Sequence, residues 1–216
     1  LFKYLSKKKE EKPETGGIKN IIFDVGQVLV DYDWETYLDS FGFEPVKRER
    51  IAKATFQSPV WDERDRGLYE EDVYLKQFQE LDPEDAEDIE KVIRGTGGTI
   101  HKRPYADTWV KYLKSKGYHL YILSNYASYM IDHTKKELTF RKEMDGEVFS
   151  CYVNQLKPEP EIYQTILDKY QLKPEECVFI DDRPENCRGA QEQGIHTICF
   201  KDFKQVTADL EKLGVK

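Results

Sequence analysis

The sequence predicts an α/β fold in which a doubly wound parallel sheet (a Rossmann-like core) carries an inserted α-helical segment. Four short apolar runs, rich in β-branched and aromatic residues, indicate strands that are buried on both faces: KNIIFD (19–24), YHLYIL (118–123), CVFI (177–180) and IHTICF (195–200). Amphipathic segments separate several of these runs. A repeated order of strand, helix and strand is typical of a parallel sheet with right-handed crossovers.

Each predicted helix has an apolar face and a clear end. The segment after Pro104 places Trp109, Tyr112 and Leu113 on one face, and Gly117 ends it directly before the second strand. The segment after Pro160 has its apolar face at Tyr163, Ile166, Leu167 and Tyr170. Gly194 ends a further helix before the last strand, so helices and strands alternate.

Residues 33–99 interrupt this alternation. They contain no convincing strand and predict several helices, one of them with Tyr74, Phe78 and Leu81 on one face. Pro45, Pro59, Gly67 and Pro83 punctuate the stretch, and the run from Gly95 to Gly98 closes it. We therefore expect a helical insertion (33–99) in a core made of residues 18–32 and 100–216, preceded by a polar N-terminal tail (1–17).

Composition excludes several classes of protein. The 216 residues are 39% hydrophobic and 13% aromatic, which is enough for a packed core. The net charge of −8 disfavours a general nucleic-acid or anionic-membrane binder, because such binding needs a basic surface. A local site for an anion stays possible.

The four cysteines and the lack of long apolar stretches indicate the cellular compartment of the protein. Cys151, Cys177, Cys187 and Cys199 form no CxxC pair and have no histidine at zinc-ligand spacing. The sequence shows no apolar stretch of the length that spans a bilayer and no signal-peptide pattern. We therefore expect a cytoplasmic protein without membrane partners.

Polar side chains follow three of the predicted strands. Asp24 ends the first, Ser124 and Asn125 follow the second, and Asp181 and Asp182 follow the third. Ligands of open α/β sheets bind at the carboxyl ends of the strands, so these groups and Lys157 should converge. Carboxylates suit Mg²⁺, and an ammonium offsets charge on a phosphoryl group. A carboxylate can also act as the nucleophile. The set therefore suits phosphoryl transfer with Mg²⁺ as cofactor.

These motifs, in this order, resemble the haloacid dehalogenase superfamily of phosphatases. The matching stretches are IIFDVGQVLVD around Asp24, LYILSN around Ser124, LKPEPEIY around Lys157 and CVFIDD around Asp181. The resemblance covers nearly the whole chain from Ile18 onward. It implies that the helical insertion is a type-one cap.

The resemblance also implies a role for each matched residue. Asp24 would be the nucleophile and a metal ligand, and the backbone carbonyl of Gly26 would bind Mg²⁺. Ser124 and Asn125 would bind the phosphoryl group, which Lys157 would neutralise while holding Asp24. Asp182 would be the direct metal ligand of the acidic pair, and Asp181 would either bind the metal more weakly or act indirectly, through contacts with the groups that bind it.

One position departs from the family pattern. Phosphatases of this family usually carry a second Asp two residues after the nucleophile, where it acts as general acid and base, and here that position is Gly26. Such catalysis is worth roughly 10²- to 10⁴-fold. Asp31 and Asp33 are conceivable substitutes, although solvated turn residues are the more ordinary interpretation.

A subgroup resemblance concerns the substrate. The DxG form followed by a valine-rich run resembles a bacterial group that includes an α-D-glucose-1-phosphate phosphatase, and Asp65-Arg66-Gly67 resembles the cap loop of that group. This implies a sugar phosphate contacted by Asp65 and Arg66, although a surface ion pair is an equally good interpretation of these two residues.

Two hypotheses from different classes follow. The first is a Mg²⁺-dependent phosphatase that hydrolyses a small phosphorylated metabolite through an aspartyl-phosphate. The second, motivated by Gly26, is a catalytically weakened relative that binds a phosphorylated ligand or a protein partner. Oligomeric state is left open by the sequence.

Overall fold

The structure is a computed structural model that describes residues 17–216. The predicted polar tail (1–17) therefore lies outside the described residues except for Gly17. The strands are β1 Asn20–Phe23, β2 Val30–Tyr32, β3 Ile100–Lys102, β4 His119–Ser124, β5 Gly146–Phe149, β6 Cys177–Asp181 and β7 His196–Cys199. The helices are α1 Trp34–Asp39, α2 Pro45–Ala54, α3 Pro59–Arg66, α4 Glu71–Leu81, α5 Ala86–Arg94, α6 Ala106–Ser115, α7 Ser128–His133, α8 Ser150–Val153, α9 Pro160–Tyr170, α10 Pro184–Glu192 and α11 Phe203–Lys212.

A five-stranded parallel sheet forms the centre of the molecule. Its order is β5-β4-β1-β6-β7, so β1 pairs with β4 on one side and with β6 on the other. Phe23 is level with Ile122 and with Ile180 in the two pairings. The carboxyl ends of the three central strands therefore meet at one edge. The predicted α/β fold with a doubly wound parallel sheet is confirmed.

Helices cover both faces of this sheet because successive side chains of each strand point to opposite sides. Ile21 and Phe23 belong to a core cluster shared with Trp109 of α6 and Val206 of α11. Ile22, between them, belongs to a second cluster on the other face, which is shared with α9 and α10. The uninterrupted apolar runs follow from this burial on both faces.

Two features of the strands differ from the sequence-based expectation. The apolar runs do not predict β5, whose sequence GEVF buries only Val148 and Phe149 fully at the edge of the sheet. They also do not predict the small antiparallel pairing of β2 with β3, in which Tyr32 lies opposite Ile100. Three-residue and half-polar strands carry too little periodicity to be distinguished from loops.

Helices α1 to α5 connect β2 to β3 and have a hydrophobic cluster of their own, which includes Leu38, Ile51, Phe78 and Ile93. Pro45 and Pro59 begin α2 and α3, and Gly67 ends α3 in the left-handed conformation. Proline is favoured at the first helical position and glycine just past the last, so the punctuation in the sequence marks these boundaries correctly.

Two residues predicted on buried helix faces are exposed. Leu81 is 53% exposed although Tyr74 and Phe78 of the same helix are buried. Tyr112 is 50% exposed although Trp109 and Leu113 are buried. Each lies at the margin of its apolar stripe, and α4 ends at Leu81.

Across residues 17–216 we find no helix whose length and apolar character would let it cross a bilayer.

Candidate active site

Three strand ends bring the predicted polar residues together. Asp24 directly follows β1, Ser124 is the last residue of β4, and Asp181 is the last residue of β6. The backbone N–H of Asp24 donates to Ile180 O at 2.9 Å, which holds the end of β1 against β6. Lys157 joins them from the loop between α8 and α9. All four residues are buried.

The carboxylate of Asp24 is held through one of its two oxygens. Oδ1 accepts hydrogen bonds from Ser124 Oγ at 2.6 Å and from the backbone N–H of Val25 at 2.7 Å. The same oxygen lies 3.0 Å from Lys157 Nζ. No hydrogen bond from residues 17–216 reaches Oδ2. The side chain is therefore oriented by one oxygen while the other is available to react or to bind a cation.

Lys157 supplies the positive charge of the site. Its Nζ lies 2.6 Å from Asp181 Oδ2 as well as 3.0 Å from Asp24 Oδ1. Burial opposes the ammonium, but Asp181 and Asp24 outweigh it and raise the pKa of Lys157. Burial raises the pKa of Asp24 to about 7, although Lys157 acts in the opposite direction. The ammonium thus compensates the charges of two buried carboxylates that would otherwise repel each other.

An acidic cluster lies beside this lysine. Asp24, Asp181 and Asp182 each offer a carboxylate oxygen, and these three atoms lie within 4.8 Å of one another. Asp181 is fully buried and accepts from Asn186 Nδ2 and from the backbone N–H of Arg183, whereas Asp182 is half-buried. Three clustered carboxylate oxygens fit a hard divalent cation such as Mg²⁺.

Asn125 has a role that the sequence does not reveal. Its Nδ2 donates to Lys157 O at 3.1 Å and its Oδ1 accepts from the backbone N–H of Lys157 at 2.8 Å. The amide thereby fixes the loop that carries the lysine. A direct contact with a phosphoryl group stays a prediction.

Gly26 leaves room next to the nucleophile position. A Cβ atom placed at Gly26 would meet no heavy atom within 4 Å beyond its chain neighbours. The missing side chain is therefore not a consequence of crowding. Asp31 and Asp33 are engaged elsewhere, since Asp31 pairs with Arg103 at 2.8 Å and Asp33 accepts from Thr36 N at the start of α1.

The two cap-loop residues of the sequence prediction, at the end of α3, have different surroundings. Asp65 is half-buried, and its backbone carbonyl accepts a hydrogen bond from Ser150 Oγ at 2.6 Å. Arg66 forms two hydrogen bonds with Glu159, at 2.8 and 3.0 Å, and also lies beside Glu63. The guanidinium of Arg66 is thus paired with the loop that carries Lys157.

Ser150 and Asn186 were not predicted from the sequence. Ser150 is fully buried, follows β5 directly, and bonds to both Tyr126 N and Asp65 O. The rule that polar residues follow strands would have identified it had β5 been recognised. Asn186 holds Asp181 from the first turn of α10, and the sequence ENCRGAQEQGI offers only its spacing from Asp181 as a signal.

The family model of haloacid dehalogenase-like hydrolases matches residues 18–194. Bifunctional epoxide hydrolase 2 of Rattus norvegicus is 34% identical over 107 residues, which are 47% of this chain and 19% of that protein. The chain thus spans about a fifth of that relative's length. Flavin mononucleotide hydrolase 1 of Arabidopsis thaliana is 26% identical over 196 residues, which are 90% of this chain and 77% of that protein.

A solved structure has the same fold. A HAD family enzyme of Bacteroides thetaiotaomicron, in complex with magnesium and inorganic phosphate, superposes with a TM-score of 0.69 at 23% identity. The superposition covers 88% of this chain and 99% of that one. Since the family model matches well over half of the sequence, this chain belongs to the haloacid dehalogenase-like hydrolase family.

Proposed function

We propose that this hydrolase is a Mg²⁺-dependent phosphatase that acts on a small phosphorylated metabolite through an aspartyl-phosphate on Asp24. The observation that carries the proposal is the asymmetry of the Asp24 carboxylate. Ser124, Lys157 and the N–H of Val25 all engage Oδ1, and no hydrogen bond from the described residues engages Oδ2. An oriented oxygen without a donor is what an attacking nucleophile requires.

The surrounding side chains suit the charge that such a reaction develops. Lys157 is a buried ammonium 3.0 Å from the proposed nucleophile, so it stabilises a phosphoryl group bound there. Ser124 ends β4 and bonds to the same oxygen, so its hydroxyl would lie beside a phosphoryl group bound to Asp24. Asn125 fixes the backbone of Lys157, and so the position of the ammonium.

The Mg²⁺ would be held by the carboxylates of Asp24 and Asp182 and by the backbone carbonyl of Gly26. Asp181 would bind it more weakly or act indirectly. When bound, the ion neutralises phosphate oxygens and lets an anion approach three carboxylates. The donor set is made of oxygens only, which supports Mg²⁺ over softer metals. A net charge of −8 is compatible with an anionic substrate because Lys157 and the ion reverse the local potential.

We further propose that residues 33–99 act as the cap over a core made of residues 18–32 and 100–216. The end of α3, with Asp65 and Arg66, would then face the leaving group. A sugar phosphate is the favoured substrate class, and the name of the Arabidopsis relative, a flavin mononucleotide hydrolase, also denotes action on a phosphorylated small molecule.

Phosphate release tests the proposal. The chain should release inorganic phosphate from p-nitrophenyl phosphate and from hexose and pentose phosphates, with Mg²⁺ and not with EDTA. Asp24→Asn should abolish the release, whereas the matched variant Asp31→Asn, whose carboxylate pairs with Arg103, should retain it. Undiminished turnover in Asp24→Asn would refute the nucleophile. Tight binding of sugar phosphates by the wild type without any turnover would instead favour a non-catalytic phosphate binder.

A further inference from the structure

Asp65 lies where the proposed cap is docked on the catalytic edge of the sheet. Its backbone carbonyl accepts a hydrogen bond from Ser150 Oγ at 2.6 Å, and the same Oγ accepts from Tyr126 N at 2.9 Å. Tyr126 stands two residues after Ser124, which contacts Asp24. A single buried serine therefore joins Asp65 to the segment that orients the nucleophile.

A second connection fixes the other side of Asp65. Its neighbour Arg66 forms two hydrogen bonds with Glu159, and Glu159 also accepts from Leu156 N at 2.9 Å, directly before Lys157. Gly67 follows with its backbone against Cys151, where a Cβ atom would lie 2.7 Å from Cys151 Cα. The end of α3 is thus held to both loops that carry the proposed catalytic residues.

The carboxyl of Asp65 has the surroundings of an acid–base group. Burial raises its pKa to about 7; Arg64 and the N–H of Ala127 oppose this shift, and the charges of Asp62 and Asp24 add to it. The titratable groups of other elements that interact with it are the phenols of Tyr32 and Tyr126 and the thiol of Cys151. Burial raises the pKa of each of these groups, and the charge of Asp65 raises it further. A carboxyl of this kind carries a proton in an appreciable fraction of molecules near neutral pH.

We propose that Asp65 is the general acid and base of the reaction and takes the place of the carboxyl that is missing at Gly26. This inference rests on the proposed phosphatase function. The carboxyls next in sequence, Asp31 and Asp33, are committed to Arg103 and to the start of α1. Asp65 instead lies at the end of α3, where Ser150 joins its main chain to the segment that follows Ser124.

The two proton transfers balance. When an oxygen of Asp24 attacks phosphorus, the bond from phosphorus to the leaving oxygen breaks. Its electron pair stays on that oxygen, which takes the proton of Asp65. In the second step a water oxygen attacks the phosphorus of the aspartyl-phosphate, and the Asp65 carboxylate takes a water proton. The bond to Asp24 breaks with its electron pair returning to Asp24, so inorganic phosphate leaves and Asp65 is again protonated.

The test compares two leaving groups in Asp65→Asn. With an alkyl phosphate such as a hexose phosphate, kcat/KM should fall by roughly 10²- to 10⁴-fold, because an alkoxide needs the proton. With p-nitrophenyl phosphate, a stoichiometric burst of nitrophenolate should remain, because this leaving group needs no proton. Steady turnover should be slow, and intact-protein mass spectrometry should detect phosphorylated Asp24. In the pH profile of kcat/KM for the alkyl phosphate, the fall at alkaline pH that the wild type shows should be absent in Asp65→Asn.

A rescue variant separates chemistry from structure. A Cβ atom at Gly26 meets no heavy atom within 4 Å, so adding Gly26→Asp to Asp65→Asn should restore much of the alkyl phosphate rate. Thermal unfolding of Asp65→Asn should match the wild type, since the bond to Ser150 is made by the main chain. If Asp65→Asn is unfolded, Asp65→Glu replaces it in the test, because this variant keeps a carboxyl. Asp65→Glu should retain both the alkyl phosphate rate and the alkaline limb of the pH profile. Loss of both in a folded Asp65→Glu protein would overturn the inference.

The failures are distinguishable. An active wild type and an inactive Asp24→Asn, together with an unimpaired alkyl phosphate rate in Asp65→Asn, would overturn the role of Asp65 and leave the phosphatase proposal intact. Equal losses with both substrates, without a burst, would assign Asp65 a positioning role and overturn it as an acid. A wild type without Mg²⁺-dependent release would overturn the phosphatase proposal itself.

Discussion

Lys157 Nζ lies 2.6 Å from Asp181 Oδ2, and the two side chains are 1% and 0% exposed. Such a pair is costly to break, because removing one partner leaves an uncompensated buried charge. Lys157 also contacts Asp24, so a single ammonium serves two carboxylates. The fold and the proposed chemistry therefore depend on the same atom.

We expect Lys157→Met to lower the free energy of unfolding by about 3–5 kcal/mol and to abolish phosphate release. Urea unfolding and the phosphatase assay measure the two effects. Lys135→Met is the control, since Lys135 is 67% exposed and, within residues 17–216, pairs only with Asp132 on the surface. A Lys157→Met protein that unfolds at the wild-type urea concentration would contradict a charged pair at Asp181.

The second prediction concerns the proposed metal site. Mg²⁺ should raise the melting temperature of the wild type, because a ligand that binds only the folded state stabilises it, by about 2.7 kcal/mol at a hundred times Kd. Asp182→Asn should remove this increase without lowering the melting temperature in EDTA, since Asp182 is half-buried and Lys157 compensates the other two carboxylates.

Glu185→Gln provides the control for Asp182→Asn. Glu185 lies three residues further on and pairs with Arg183 at 3.4 Å in an exposed position. It should keep the full response to Mg²⁺. An Asp182→Asn protein that still responds to Mg²⁺ like the wild type would place the ion elsewhere.

The parts of the site that the sequence predicts are those set by strand ends. Asp24, Ser124 and Asp181 each close a run of apolar residues, and the parallel register alone brings them together. Lys157 follows no predicted strand, so its place in the site is predicted from its position between the second and third strands and from the family resemblance, and not from a strand end. The helical insertion is visible in the sequence because prolines begin α2 and α3 and glycine ends α3.

What the sequence does not predict depends on contacts between distant segments. The sequence leaves Arg66 as either a substrate contact or a member of a surface ion pair, and it does not identify the partner Glu159, which is 93 residues away. Arginine is seldom fully buried unless it is paired, yet Arg64 is 2% exposed, bonds to Glu71 and lies over the rings of Trp61 and Tyr129. Nothing in the local periodicity encodes such pairings.

The third prediction is that the pair of Arg66 and Glu159 holds the proposed cap in its working position. Partly exposed bidentate pairs contribute about 1 kcal/mol or less to stability. We therefore expect a small coupling energy in unfolding from the cycle of Arg66→Met, Glu159→Gln and the double variant. We expect a clear loss of kcat/KM in each single variant, because the end of α3 is released from the loop of Lys157.

Arg141 and Glu147 form the matched control for this cycle. Arg141 donates two hydrogen bonds to Glu147, from Nε at 2.9 Å and from Nη2 at 2.5 Å, whereas Arg66 donates two to Glu159 from Nη1 and Nη2. The exposures are similar, 26% and 33% for Arg141 and Glu147 against 22% and 37% for Arg66 and Glu159. Their cycle should give a similar stability coupling without a change in kcat/KM. Equal kinetic losses in both cycles would contradict a specific role for Arg66.

The last prediction uses two glycines with the same backbone conformation. Gly67 and Gly42 have φ values of +73° and +67°, in the left-handed region that disfavours a Cβ atom by roughly 1–2 kcal/mol. A Cβ at Gly42 meets no atom within 4 Å, whereas at Gly67 it would lie 2.7 Å from backbone atoms of Cys151. Gly42→Ala should thus lower the free energy of unfolding in urea only by this conformational amount and should keep full phosphatase activity. Gly67→Ala should lower the free energy of unfolding by more. It should also lower kcat/KM, because relieving the clash moves the end of α3, and with it Asp65, away from the core. Equal stability losses and unchanged kcat/KM in the two variants would show that the contact of Gly67 with Cys151 does not hold Asp65 in place.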